Sequence, residues 1–273
     1  MKKRIPYTLL ILILLGIFCY SAWQVGSYLL DAREQKEKYD QLAAMVEQVQ
    51  ATADTIPATE GTEPSLPEVP EATEAPLSIL PEYEALVELN SDTVGWLKID
   101  GTYINYPVMQ SPMEPEYYLH RNFYFEHSER GCIFAEEECD VVTPSDNVTL
   151  YGHNMKDGSM FATLSNYTSQ SYWQSHDTVI FDSLYEHRTY KIFAVFKTTA
   201  KPGQGFAYHT FIDAAHQEEF DSFISRVKEL ALYDTGITPE YGDKLLCLST
   251  CEYSQADGRL VVVAVLNPET TEE

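Results

Sequence analysis

The sequence predicts a mainly β domain, a barrel or a sandwich, carried behind an N-terminal membrane anchor and a stalk. Three observations predict it. Eight short runs of apolar and β-branched residues, separated by turn residues, follow one another between residues 94 and 266. One long amphipathic helical pattern interrupts them between the sixth and seventh runs. Ahead of all this, residues 1–30 hold an uncharged apolar stretch of membrane-spanning length.

The anchor comes first in the chain. Lys2, Lys3 and Arg4 precede an apolar run from Ile5 to Trp23, and no charge follows until Asp31. A helix needs roughly 20 such residues to cross a bilayer, and the basic flank sets the N-terminus on the cytoplasmic side. A cleaved leader competes with this reading, but cleavage after Ala22 would leave Tyr20 where a small residue is required. Phe18 before Cys19 likewise does not suit lipid attachment. The expectation is an uncleaved single span, with Trp23 and Tyr28 at the outer interface.

Residues 31–76 form the second segment. Asp31 to Gln50 is rich in helix formers and places Glu34 four residues before Lys38, so a short juxtamembrane helix is expected. Ala51 to Pro76 holds five prolines and six acidic residues, and no basic residue occurs between Lys38 and Lys98. Such a stretch has too little apolar surface to order itself, so it reads as an extended, disordered stalk.

The globular domain is expected over residues 77–273. It opens with helical spacing in Leu80 to Asn90 behind Pro81. The β-like runs are 94–99, 104–109, 131–135, 147–151, 178–181, 189–196, 244–250 and 259–266. The long helix is expected over 213–232, with Phe220, Phe223, Ile224, Val227, Leu230 and Ala231 along one face, and a shorter one over 160–167.

Composition narrows the function. A hydrophobic content of 44% with 12% aromatics supplies a packed core. Forty-two acidic residues against 18 basic ones give a net charge of −24, which argues against a nucleic-acid partner because phosphate is bound by clustered Lys and Arg. Peptides and amines fit better.

The five cysteines do not look like a disulfide framework. Cys247 and Cys251 lie in a strand-like run, about 13 Å apart at ~3.3 Å per residue, too far to bridge. Cys132 and Cys139 flank the acidic Glu136-Glu137-Glu138, and their plain reading is one buried and one exposed thiol rather than a disulfide or metal pair.

The last hairpin carries the most chemistry. Cys251 ends one apolar run and Arg259 opens the next, so antiparallel pairing brings a thiol and a guanidinium to one rim of the sheet. A fixed cation beside a thiol favours the thiolate, and a rigid fork of donors suits a developing oxyanion. A thiol at a strand end is also an ordinary small hydrophobe, and the pair alone does not decide between the two. His153 is the candidate acid/base, in Thr149-Leu-Tyr-Gly-His-Asn154, where a strand breaks at Gly152 and presents an imidazole at a loop mouth. The other six histidines lie in polar loops or on helix surfaces, where a solvated ring is expected.

Leu248-Ser-Thr-Cys251, Arg259 eight positions on in a Val-rich strand, and Tyr151-Gly-His-Asn154 together resemble the signature of the sortase family. Val94 to Gln110, Gly152 to Phe161 and the long helix before the nucleophile strand resemble class B sortases in particular, and the likeness covers roughly Leu80 to Asn267. The resemblance implies a closed eight-stranded β-barrel with an N-terminal helix and a long helix between strands 6 and 7.

It also implies a cysteine transpeptidase of Gram-positive bacteria, held at the membrane with its catalytic domain outside the cell. Cys251 would attack the Thr carbonyl of a sorting motif of the Leu-Pro-x-Thr-Gly or Asn-Pro-x-Thr-Asn kind. His153 would shuttle the proton and Arg259 would hold the oxyanion. Tyr208, Ser249 and Glu252 are the implied substrate contacts. The acceptor would be an amine of peptidoglycan precursor or a pilin lysine, and neither a cofactor nor a metal is expected. Two competing readings are a cysteine endopeptidase with water as acceptor and an inert, surface-tethered peptide-binding module.

Overall fold

The computed structural model describes residues 7–53, 77–111, 114–201 and 203–267. The expected stalk falls on 54–76 and lies outside the described residues. The chain divides into two compact units, Met1–Ala44 and Met45–Glu273.

Helix α1 runs Tyr7–Ala53 without a break, so the expected span and juxtamembrane helix are one element. No proline interrupts it, and Arg33–Glu37 (2.8 Å) and Glu34–Lys38 (3.0 Å) pair one turn apart across its polar part. By length and composition the helix is long and apolar enough to cross a membrane.

The second unit is mainly β. Helix α2, Pro81–Leu89, starts on the proline and buries Tyr83 and Leu86. The strands are β1 (Thr93–Lys98), β2 (Asn105–Met109), β3 (Ile133–Ala135), β4 (Asn147–Tyr151), β5 (Thr178–Ser183), β6 (Thr189–Thr199), β7 (Leu245–Glu252) and β8 (Gly258–Leu266). They pair in the order β1-β2-β3-β4-β7-β8-β6-β5, and β5 pairs back onto β1, so the ring leaves no free edge. β2–β3 and β4–β7 are parallel and the other pairs antiparallel.

Helix α4, Gln217–Leu230, lies between β6 and β7 in sequence and covers the sheet where β6, β7 and β8 meet. Phe220, Phe223, Ile224 and Val227 pack there on Leu245, Cys247, Val261 and Val263. The helix begins later than its sequence pattern because Asp213 is used elsewhere: its carboxylate accepts from the Asp146 amide (2.9 Å), and the helix is capped instead by His216, which accepts from the Glu219 amide.

The expected helix over 160–167 is different too. Met160 takes a left-handed φ of 55°, a 3-10 turn follows over Ala162–Thr168, and α3 spans Gln170–Ser175. The start of this segment is spent on closing a loop, since the Phe161 amide donates to the His153 carbonyl (2.9 Å) and no helical bond is available there.

Candidate active site

β7 continues to Glu252, two residues beyond the expected end, so Cys251 sits inside the strand ladder. The register of β7 on β8 is Leu245↔Val265, Cys247↔Val263, Ser249↔Val261 and Cys251↔Arg259. Side chains alternate along a strand, so these four pairs share one face. The α4 layer covers the first of them; Ser249, Cys251 and Arg259 line an open cavity of about 650 Å³. The packing that stabilises the hairpin therefore also aims its last cross-strand pair, whose Cβ atoms are about 5 Å apart in such a ladder, into the cavity.

Of the five cysteines, Cys251 is the one lining this cavity, and it is half-buried. Cys132, Cys139 and Cys247 are buried, which corrects the expectation that one of Cys132 and Cys139 is exposed. Burial pushes the Cys139 thiol up to about 12 and raises that of Cys247 as well, so both are inert protonated thiols. All five are free.

Arg259 is half-buried in the cavity wall. Among the described residues its one hydrogen bond runs from Nη1 to the Gly258 carbonyl (3.1 Å), and no carboxylate pairs with it. A fixed cation left unneutralised beside a thiol holds its donors ready for a developing negative charge.

His153 lines the same cavity. Its Nε2 lies 2.8 Å from the Leu119 carbonyl. A carbonyl only accepts, so Nε2 carries the hydrogen, and in the neutral ring Nδ1 is the nitrogen with a free lone pair. Gly152 allows the chain to reach this place: a Cβ there would lie 2.5 Å from Ile133 Cδ1 and 2.7 Å from Phe161 Cγ.

Leu119 belongs to a 3-10 turn, Tyr117–His120, and nothing in sequence reasoning pointed to its carbonyl, because a backbone acceptor carries no residue signature. The nearest available signal was Gly131. That residue has a φ of 57°, and a Cβ on it would lie 2.5 Å from the carbonyl oxygens of both Tyr118 and Leu119. Gly131→Ala is expected to displace the imidazole through that carbonyl and to lower kcat about tenfold or more, with a fall in Tm from the left-handed backbone. An unchanged kcat at a temperature where the variant is folded would show that the Leu119 carbonyl does not orient the ring.

The expected substrate contacts separate. Tyr208 and Ser249 both line the cavity and are joined through their hydroxyls at 2.5 Å; burial pushes the Tyr208 phenol up to about 12, so it stays a neutral hydrogen-bonding group. Glu252 is not among the lining residues. The strand alternation turns it to the face opposite Cys251, where its carboxylate meets Lys197 (3.0 Å) and Ser254 Oγ (2.6 Å).

Five of the other six histidines are exposed, as expected, and His176 alone is half-buried. His187 is clasped by Asp182 (2.9 Å) and Glu82 (3.3 Å), and His176 stacks on Tyr172. His209 joins the cavity wall. Among the described residues no three His, Cys, Asp or Glu side chains converge as a metal site.

The chain matches the family model of the sortase domain over residues 97–267. It is 32% identical to sortase B of Staphylococcus aureus over 188 residues, 68% of this chain and 75% of that protein. With sortase B of Listeria monocytogenes it shares 30% identity over 255 residues, 93% of each. In three dimensions it superposes on a Staphylococcus aureus sortase B–substrate complex with a TM-score of 0.73 and 27% identity, covering 87% of this chain and 98% of that one.

Proposed function

Because the chain belongs to the sortase family, whose members are cysteine transpeptidases, and within it to class B, we propose that Cys251 is its nucleophile, His153 its acid/base and Arg259 its oxyanion holder. The observation that carries this reading is the cross-strand pair Cys251↔Arg259, opening with an unneutralised guanidinium into the cavity that His153 also lines.

The Cys251 thiolate attacks the Thr carbonyl of a sorting motif, and the carbonyl oxygen takes up the charge against the Arg259 fork. As the tetrahedral intermediate collapses, the scissile C–N bond breaks and the leaving amine takes its proton from the imidazolium of His153, leaving a thioester on Sγ. The acceptor amine then gives a proton to His153, attacks the thioester and releases the thiolate. Nδ1 is the nitrogen that handles both protons, since Nε2 is held on the Leu119 carbonyl. Tyr208 and Ser249 form the polar floor against which the motif lies.

The sortase B–substrate complex among the similar structures supports a sorting-motif peptide as partner. We assign the acceptor to an amine of the cell wall. Helix α1 serves as a single-pass anchor with the N-terminus inside, which puts the thiol on the outer side of the membrane.

The ectodomain, incubated with a panel of sorting-motif peptides and triglycine, is expected to give amide-linked product by mass spectrometry. Product with a lysine-bearing pilin peptide but not with wall-type amines would reassign it to pilus assembly. Hydrolysis alone would mark a cysteine endopeptidase, and no reaction with any peptide would sink the enzymatic reading in favour of a binding module.

A further inference from the structure

The parallel ladder of β4 on β7 ends at Tyr151↔Ser249, just before both reactive residues. Beyond it the Gly152 amide still donates to the Ser249 carbonyl (3.2 Å), and Thr250 Oγ1 returns a bond to the Gly152 carbonyl (2.7 Å). The next rung is made by a side chain. Asn154 Nδ2 donates to the Cys251 carbonyl at 2.9 Å and, with its other hydrogen, to Ser165 Oγ at 3.3 Å.

Cys251 faces Arg259 on the β8 side, but no strand lies opposite it on the β4 side. The amide of Asn154 takes that place. The Asn154 residue is itself held, since its carbonyl accepts from Tyr253 Oη (3.2 Å) and its backbone bridges to Met160.

His153 and Asn154 share a peptide bond. The imidazole is held on the Leu119 carbonyl and the Asn154 backbone by Tyr253 and Met160, so a movement of the Cys251 strand end relative to Asn154 is also a movement relative to His153. From this juxtaposition we infer that Asn154 is a positioning residue that sets the imidazole–thiol separation through the Cys251 carbonyl. The inference rests on the proposed roles of Cys251 and His153. In it the Asn154 amide does not orient the imidazole, a task left to the Leu119 carbonyl.

The test is steady-state kinetics on the full-length protein in detergent, with a reactive sorting-motif peptide and triglycine. Asn154→Asp keeps the size and removes the donor. It is expected to lower kcat about ten- to a hundredfold while KM stays close to the parent value, because the substrate-facing surface is untouched. Ser165→Ala, which loses the second partner of the amide but keeps the Cys251 contact, is expected to retain the parent kcat.

A parent-like kcat in Asn154→Asp overturns the inference, and so does a loss that appears in KM alone. A Ser165→Ala loss as large as that of Asn154→Asp also overturns it, since the amide would then act by stiffening the loop. If Asn154→Asp does not fold, Asn154→Ala, which adds no charge, is read by the same criteria. Failure of the underlying reading is distinguishable: a parent that forms no product removes the transpeptidase assignment, whereas an active parent with an equally active Asn154→Asp removes only the role of Asn154.

Discussion

Cys251→Ala is expected to abolish product formation, with a loss on the order of 10⁴-fold or more, as when the nucleophile of an acyl-transfer site is removed. The size of the effect follows from the absence of a substitute. Cys139 and Cys247 are buried with their thiols raised, Cys132 is 1% exposed, and Cys19 lies on the apolar helix. Stability should hardly change, because Cys251 is only half-buried and alanine leaves no enclosed void. The direct measurement is intact-protein mass after brief exposure to substrate: a thioester adduct on the parent and none on the variant. An adduct that persists and maps to Cys132 would overturn the assignment.

Arg259→Lys is expected to lower kcat about 10²- to 10³-fold although it keeps the positive charge. A guanidinium presents a planar fork from a fixed position, whereas an ammonium on a flexible stem is a point charge that must be ordered at each turnover. The strand position supports a clean comparison, since the guanidinium makes a single hydrogen bond to Gly258 and no ion pair among the described residues, so its replacement strands no buried carboxylate. The readout is kcat with unchanged adduct stoichiometry and unchanged Tm. If lysine sustains the parent rate, the arginine acts by charge alone and the bidentate role is wrong.

Much of this was legible because it is local. All eight strands follow from apolar runs bounded by turn residues, and the hairpin that pairs Cys251 with Arg259 needs only a short loop and antiparallel register. The buried face of α4 could be read from its spacing. What escaped was either non-local or carried by backbone. The parallel pairing of β4 with β7, which brings Tyr151 to Ser249, joins segments distant in sequence and has no turn to announce it. Met160 adopts a left-handed conformation that its residue type disfavours, so the helix expected from residue 160 begins two residues later, as a 3-10 turn. Glu252 is a different case: the expected strand ended at residue 250, so no face was assigned to its side chain, whereas β7 runs on to Glu252 and turns it away from the cavity that Cys251 lines.

The backbone partner of His153 has a genetic consequence. When a side chain orients a catalytic imidazole, a single codon change can delete it, and selection can tune it by exchange. The Leu119 carbonyl is present whatever residue is encoded there. A residue-by-residue alanine screen is therefore blind at position 119, and substitutions there are expected to be permissive even though the atom beside them is held to a fixed place. The vulnerability is displaced to the codon for Gly131, where any side chain would crowd that oxygen.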